Sequence, residues 1–185
     1  MDTEREEALI QKAQEDIHAF GELYDEHYSR IFNYALRRTA NIDTAQDVTS
    51  EVFLKALNNI KRYKYKGIRF SSWLYRIAAN EIADYYRDNR GGNYGLEEAD
   101  NLIDNNTLSP DAELLEAEAE MQRSEEFLIL HRSIAMLPIR YQEVITLRFF
   151  ENKQIKEISE ILGKREGTIK SLLNRGLVKL RSLMT

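Results

Sequence analysis

The chain has 185 residues, 43% apolar and 31% charged, with 8 glycines, 2 prolines and no cysteine. That allows one domain or two small ones with a real core, and it excludes a disulfide scaffold, a thiolate zinc protein and a collagen-like chain. No apolar run approaches the ~18 residues of a membrane span, and the start Met1-Asp2-Thr3-Glu4-Arg5-Glu6-Glu7 is acidic, unlike a secretory leader, so a cytoplasmic helical protein without a membrane span is expected.

The net charge of −5 is unevenly spread. Residues 1–18 carry −4, residues 19–90 carry +3, residues 91–126 carry −10 and residues 127–185 carry +6. Two basic-leaning blocks flank an acidic joint. An acidic chain would ordinarily argue against nucleic acid, but the block pattern removes much of that objection.

In the first block, Phe20, Leu23, Tyr24, His27, Ile31 and Tyr34 recur at three-four spacing, one face of a helix. Asn41-Ile42-Asp43 breaks it, and Asp43 with Gln46 reads as a capping box for the next helix. Ala45, Val48, Val52, Ala56 and Ile60 mark that helix's buried face. A third helix is expected from Ser71 or Ser72, with Leu74, Ile77, Ala78, Ile82 and Tyr85 inward. β-Branched alternation is absent, so strands are not expected.

No acid occurs between Val52 and Asn80, a span that holds Lys55, Lys61, Arg62, Lys64, Lys66, Arg69 and Arg76 interleaved with Tyr63, Tyr65, Phe70, Trp73 and Tyr75. Cations that follow a phosphate backbone, with aromatics that stack on bases, suit single-stranded nucleic acid. Stacking offers about 1–3 kcal/mol per base, enough to hold one extruded base but not to open a long duplex unaided. Taken singly, Phe70, Trp73 and Tyr75 are also ordinary core candidates.

Gly91-Gly92-Asn93-Tyr94-Gly95 opens a turn-rich, acidic stretch that runs to Pro110. The reading is domain 1–90, linker 91–111 and domain 112–185. As a flexible coil the linker spans roughly 25 Å, and fully extended about 70 Å.

The second block is periodic from Leu114 to Leu137 and stops at Pro138; Tyr141, Val144, Ile145 and Phe149 continue on another helix. Two helices close the chain, about Gln154–Leu162 and Glu166–Leu183. Ile158 and Leu162 face Ile169, Leu172 and Leu173, Ser159 is small enough for a close crossing, and Gly163 suits a tight turn. Arg165, Thr168, Lys170, Ser171, Asn174 and Arg175 stay polar, as on a recognition helix entering the major groove.

The stretch from Ala45-Gln46-Asp47-Val48 to Lys55-Ala56-Leu57 resembles region two of bacterial sigma factors, as does Phe70-Ser71-Ser72-Trp73-Leu74-Tyr75-Arg76-Ile77-Ala78-Ala79-Asn80 with Asp84 and Arg87. Leu137-Pro138, Leu147-Arg148, Glu157-Ile158 and Gly167-Thr168-Ile169-Lys170-Ser171 with Arg175 resemble region four. Order, spacing and length are similar to the compact extracytoplasmic-function group of the sigma-70 family.

The resemblance implies an all-α fold of two small helical domains joined by the flexible acidic linker. It implies an alternative sigma factor, not an enzyme and with no cofactor, whose partners are core RNA polymerase, promoter DNA and an anti-sigma factor. It assigns polymerase binding to Asp47, Glu51, Phe53 and Leu54, and duplex −35 reading to Arg165, Thr168, Lys170, Ser171, Asn174 and Arg175. Melted −10 DNA falls to Lys61, Arg62, Lys64, Lys66, Arg69, Phe70, Trp73, Arg76, Asn80, Asp84 and Arg87. Departures from the family pattern are Ser50 for the usual Gln, Leu172 for a common Arg and Gly176 for a common Ala. A stand-alone helix-turn-helix regulator would explain only the second block. An enzyme lacks support: Gly163-Lys164 is no phosphate loop, and His18, His27 and His131 have no metal-site spacing.

Overall fold

The computed structural model describes residues 3–39, 41–64, 69–88, 129–130 and 133–184. The linker and most of the Leu114–Leu137 periodicity lie outside these residues, as does Lys66. Among the described residues the ordered elements are all helical.

Helix α1 (Thr3–Glu15) carries Glu4 and Glu6 in its first turn and Lys12 in its last, the arrangement that favours the helix dipole. It buries Leu9, Ile10 and Ala13. Gln14 pins it in place: its Nε2 donates to the carbonyls of Ile60 and Tyr63, at 3.0 and 2.8 Å. A 3₁₀ turn (Ile17–Ala19), capped by the Asp16 carboxylate, leads into α2 (Phe20–Thr39). Of the face read from the sequence, Phe20, Leu23, His27, Ile31 and Tyr34 are buried, while Tyr24 stays 39% exposed.

Helix α3 (Ile42–Asn59) is capped by Asn41, whose carboxamide oxygen accepts from the Thr44 amide at 2.7 Å. Asp43 therefore sits inside the first turn, where it complements the helix dipole, and the expected Asp43–Gln46 box is not what starts the helix. A 3₁₀ turn (Ile60–Arg62) follows. Helix α4 (Phe70–Asp88) begins one residue before the expected serines and buries Leu74, Tyr75, Ala78 and Ile82. Phe70 contacts the rings of His27, Tyr63 and Trp73 with centroids 5.4–5.5 Å apart, joining α2, α4 and the segment after the 3₁₀ turn in one core.

In the second domain, the Gln142 carboxamide donates to the carbonyls of Ala135 and Leu137, at 2.9 and 2.8 Å, and closes the turn at Pro138. Helix α5 (Ile139–Ile145) runs into a π-helical turn (Thr146–Phe150), then α6 (Ile155–Leu162) and α7 (Glu166–Leu183). The wider turn shifts the helical phase, so Phe149, expected in the core, is 52% exposed and Phe150 packs inward instead. Gly176 lets α7 lie close on α5: a Cβ there would sit 3.1 Å from Ile145 Cδ1 and 3.2 Å from Tyr141 Cβ. The two domains touch, with α6 against α4 and the π-helical turn against α2.

Candidate nucleic-acid interface

The α6–turn–α7 unit is held by local chemistry. The Glu157 carboxylate accepts from the Gln154 amide at 2.8 Å at the start of α6. Gly163 ends α6 at φ 62°, a left-handed conformation that costs glycine little. Ser159 does more than make room: its hydroxyl donates to the Lys164 carbonyl at 2.5 Å and fixes the turn.

Ile169, Leu172, Leu173, Gly176 and Leu180 bury one stripe of α7. Arg165, Thr168, Lys170, Ser171, Asn174 and Arg175 are all exposed. Burial of Leu172 means the departure from a common Arg falls in the core stripe rather than on the outer face. The arrangement offers three cations and three short polar groups on one helix, a donor set for phosphates and base edges.

In the first domain a cleft of about 540 Å³ opens between the end of α3 and α4. It is lined by Lys55, Asn59, Arg62, Tyr63, Trp73, Ile77, Asn80 and Glu81. The structure thus brings together Arg62, Trp73 and Asn80 from the residues read in the sequence. The rings of Tyr63 and Trp73 lie 4.9 Å apart and form an aromatic wall. Lys55 and Tyr63 belong to the basic-aromatic run read from the sequence but not to the residues assigned to −10 DNA, and Asn59, Ile77 and Glu81 were in neither set. Their signal was helical spacing: 55 and 59 lie one turn apart, as do 73, 77, 80 and 81. Lys55 donates to Glu81 at 2.6 Å, and that bond lifts its pKa above the ordinary lysine value.

The remaining candidates are scattered. Lys61, Lys64 and Arg69 are exposed beside the cleft's chain segment. Phe70 has no exposed surface and props Tyr63 and Trp73 from behind. Arg76 instead donates from Nη2 to the Glu160 carbonyl of α6. Asp84 pairs with Arg87 at 2.7 Å on the surface.

On α3, Asp47 and Glu51 are exposed and one turn apart, and Leu54 is 52% exposed. Phe53 is buried, its ring 4.7 Å from Tyr24 and 6.3 Å from Tyr28, so it shapes this surface from beneath.

The sigma-70 region 2 family model matches residues 23–91, and the sigma-70 region 4 model matches residues 127–180. The chain belongs to the sigma-70 family. The ECF RNA polymerase sigma factor BldN of Streptomyces coelicolor is 33% identical over 99% of this chain and 67% of its own length. RNA polymerase sigma factor YlaC of Bacillus subtilis is 31% identical over 89% of this chain and 91% of its own. These likenesses place the chain in the extracytoplasmic-function group, as an alternative sigma factor for promoter-specific transcription, and the stand-alone regulator reading is not favoured.

Solved structures share the fold. CnrH in complex with the cytosolic domain of CnrY is similar at a TM-score of 0.69 and 20% identity, covering 97% of this chain and 96% of that one. The sigma factor RpoE in complex with the anti-sigma factor NepR from Bartonella quintana is similar at 0.65 and 21% identity, covering 89% and 96%. No helix among the described residues is long and apolar enough to cross a membrane.

Proposed function

We propose that this sigma factor divides its work among three surfaces. The exposed stripe Asp47, Glu51 and Leu54 on α3, shaped by buried Phe53, docks on core RNA polymerase. The outer face of α7 (Arg165, Thr168, Lys170, Ser171, Asn174 and Arg175) reads the −35 element as duplex. The cleft between α3 and α4 holds a base of the melted −10 strand. Domains 1–90 and 112–185 are the two readers, and residues 91–111 are the spacer between them.

The observation that supports this most is the cleft. A purine or pyrimidine has two needs there, a π-face to stack on and edge groups to satisfy. Tyr63 and Trp73 offer the first, Asn59 and Asn80 carboxamides the second, and Lys55 and Arg62 face the phosphates. Lys61, Lys64, Lys66, Arg69, Arg76 and Arg87 extend the basic track, with Asp84 orienting Arg87. Phe70 contributes by holding the aromatic wall. Polymerase supplies the melting energy, since each base-pair step is worth about 1.4 kcal/mol and one captured base offsets only one or two. An anti-sigma factor acting in the cytoplasm on these docking surfaces is the proposed regulator, in keeping with the complexes in which sigma factors of this fold are found.

The deciding experiment is run-off transcription with bacterial core polymerase on a library of random promoters, with and without this protein. Initiation at selected sites that share −35 and −10 sequences is expected. Core-independent duplex binding with no initiation would overturn the reading. Tyr63→Ala together with Trp73→Ala should lower initiation at least tenfold while leaving duplex −35 contacts intact.

A further inference from the structure

We infer that the Lys55–Glu81 ion pair in the α3–α4 cleft reads the captured base, admitting those that carry an amino group, cytosine and adenine, and rejecting guanine and thymine. The inference rests on the −10 reading above and adds to it the class of base that the cleft takes.

Glu81 is the lining residue that a site for nucleic acid leaves unexplained. The other charged groups around the cleft are cations, Lys55 and Arg62, and the remainder are neutral. An acid placed there repels the phosphates that the cations attract. Bracing α3 against α4 is a weak reason for it. The Lys55 and Glu81 side chains are 47% and 15% exposed, and ion pairs open to solvent contribute little to stability. What the carboxylate adds is an acceptor that cannot donate, since an ionised Glu has no proton to give.

The geometry gives that acceptor a direction. Lys55 comes from α3 and Glu81 from α4, and the Lys55 ammonium donates to Glu81 Oε1 at 2.6 Å. Oε2 is left to accept. An ammonium has three hydrogens, so the one given to Glu81 leaves others for a base edge and for a phosphate. The bond to Glu81 raises the Lys55 pKa above the ordinary 10.5; a little desolvation opposes the rise, and the charges of Glu81, Glu51 and Asp84 add to it, so the group stays a donor. The cleft therefore sets one acceptor beside one donor, under the aromatic wall of Tyr63 and Trp73.

Nucleobases sort by this pattern. On the pairing edge, cytosine and adenine carry an amino donor beside a bare ring nitrogen, which accepts. Guanine and thymine carry the reverse, a carbonyl acceptor beside a ring N–H donor. An amino base gives its donor to Glu81 and its acceptor to Lys55. A keto base sets carbonyl against carboxylate and N–H against ammonium, and leaves both sides unpaired. The sugar fixes which way round the base enters, so a keto base cannot turn over to exchange the two. Asn59 and Asn80 do not make this choice, because a carboxamide can turn to present either a donor or an acceptor. A cavity of about 540 Å³ admits one ring or two, so cytosine and adenine fall in one class.

The test uses holoenzyme, bacterial core polymerase with the full chain, on promoter templates whose −10 segment is already open as a mismatched bubble. Initiation then reads capture rather than melting. Each non-template position is set in turn to each of the four bases. The captured position is the one whose preference disappears in Tyr63→Ala with Trp73→Ala. There the wild type should favour cytosine and adenine over guanine and thymine by about fivefold or more. Glu81→Gln keeps an acceptor for Lys55 but can also turn to donate, so the preference should fall below about twofold. The exchange Lys55→Glu with Glu81→Lys keeps the ion pair and reverses donor and acceptor. Guanine and thymine should then be favoured, an outcome that loss of fold could not produce. A wild-type preference for keto bases, or an amino preference that survives both variants, overturns the inference and leaves the cleft reading standing. Equal loss of initiation with all four bases in Glu81→Gln also overturns it and makes Glu81 a brace. If the aromatic variant erases no preference at any position, the cleft reading itself fails, and the role of the pair falls with it.

Discussion

Tyr75 carries the chemistry of the contact between the domains in one side chain. It is 2% exposed, its hydroxyl donates a hydrogen bond to Glu151 of the second domain, and its ring lies under the Lys153 ammonium. Burial first, then the negative charge of Glu151 and the bond donated to it, push its pKa far above the ordinary 10.0. Tyr34 is pushed up to about 12, again by burial, with Arg38 pulling the other way. Groups with raised pKa values contribute stability that is complete below the ordinary value and lost as pH climbs through the raised one. Lys153 runs opposite. Desolvation lowers its pKa, so its burial costs least once pH passes the lowered value, and that gain is finished by the ordinary 10.5. That contact should therefore hold to pH 10 and give way above it. An absorbance titration of tyrosinate should show Tyr75 and Tyr34, and more weakly exposed Tyr24, ionising later than the rest of the ten, together with loss of contact between the domains. Tyr75→Phe should remove one late group and move the alkaline transition to higher pH. A single smooth titration of all ten near pH 10 would contradict this.

At the scale of elements, the helix-turn-helix depends on one backbone conformation and two hydrogen bonds. A β-carbon at φ 62° is strained, so Gly163→Ala should cost about 1–2 kcal/mol, read as a lower denaturation midpoint. On α7, Gly176→Val meets Tyr141 Cβ, which cannot yield without moving α5. A loss of about 2–3 kcal/mol is expected, with −35 binding lost in step. How legible these elements were depends on whether the deciding force is local. Helix α7 was read as Glu166–Leu183 and is found there, because its apolar stripe and the glycine before it are both local signals. The start of α3 was misplaced because Asn41, Asp43 and Thr44 can all cap; the choice falls to Asn41 where α2 ends, with Thr39 bonded to the Ala35 and Asn41 carbonyls. The π-helical turn left no mark in the periodicity, so Phe149 was assigned to the wrong side. The cleft was half visible. Basic and aromatic residues, Lys55 among them, could be counted in the sequence, but Asn59, Ile77 and Glu81 join them only once α3 and α4 are packed.

For the whole molecule, the sequence suggested two domains and a spacer, while contact between the domains was beyond its reach. Arg37 and Glu151 are 114 residues apart, and neither belongs to a motif. The spacer is where a length argument becomes testable. Residues 91–111, if extended, reach about 70 Å, comparable with the roughly 85 Å between promoter elements once the width of the domains is added. Removing ten of them halves the reach to about 35 Å. In such a chain the domains can still touch, since that contact needs far less span. It can still present α3 to polymerase. It cannot place α7 on the −35 duplex while the α3–α4 cleft holds a −10 base. Run-off transcription from a two-element promoter should fall at least tenfold, and polymerase binding should stay within twofold. Full transcription by the shortened chain would show that residues 91–111 are not the spacer, and would move that role to the periodic stretch from Leu114 onward.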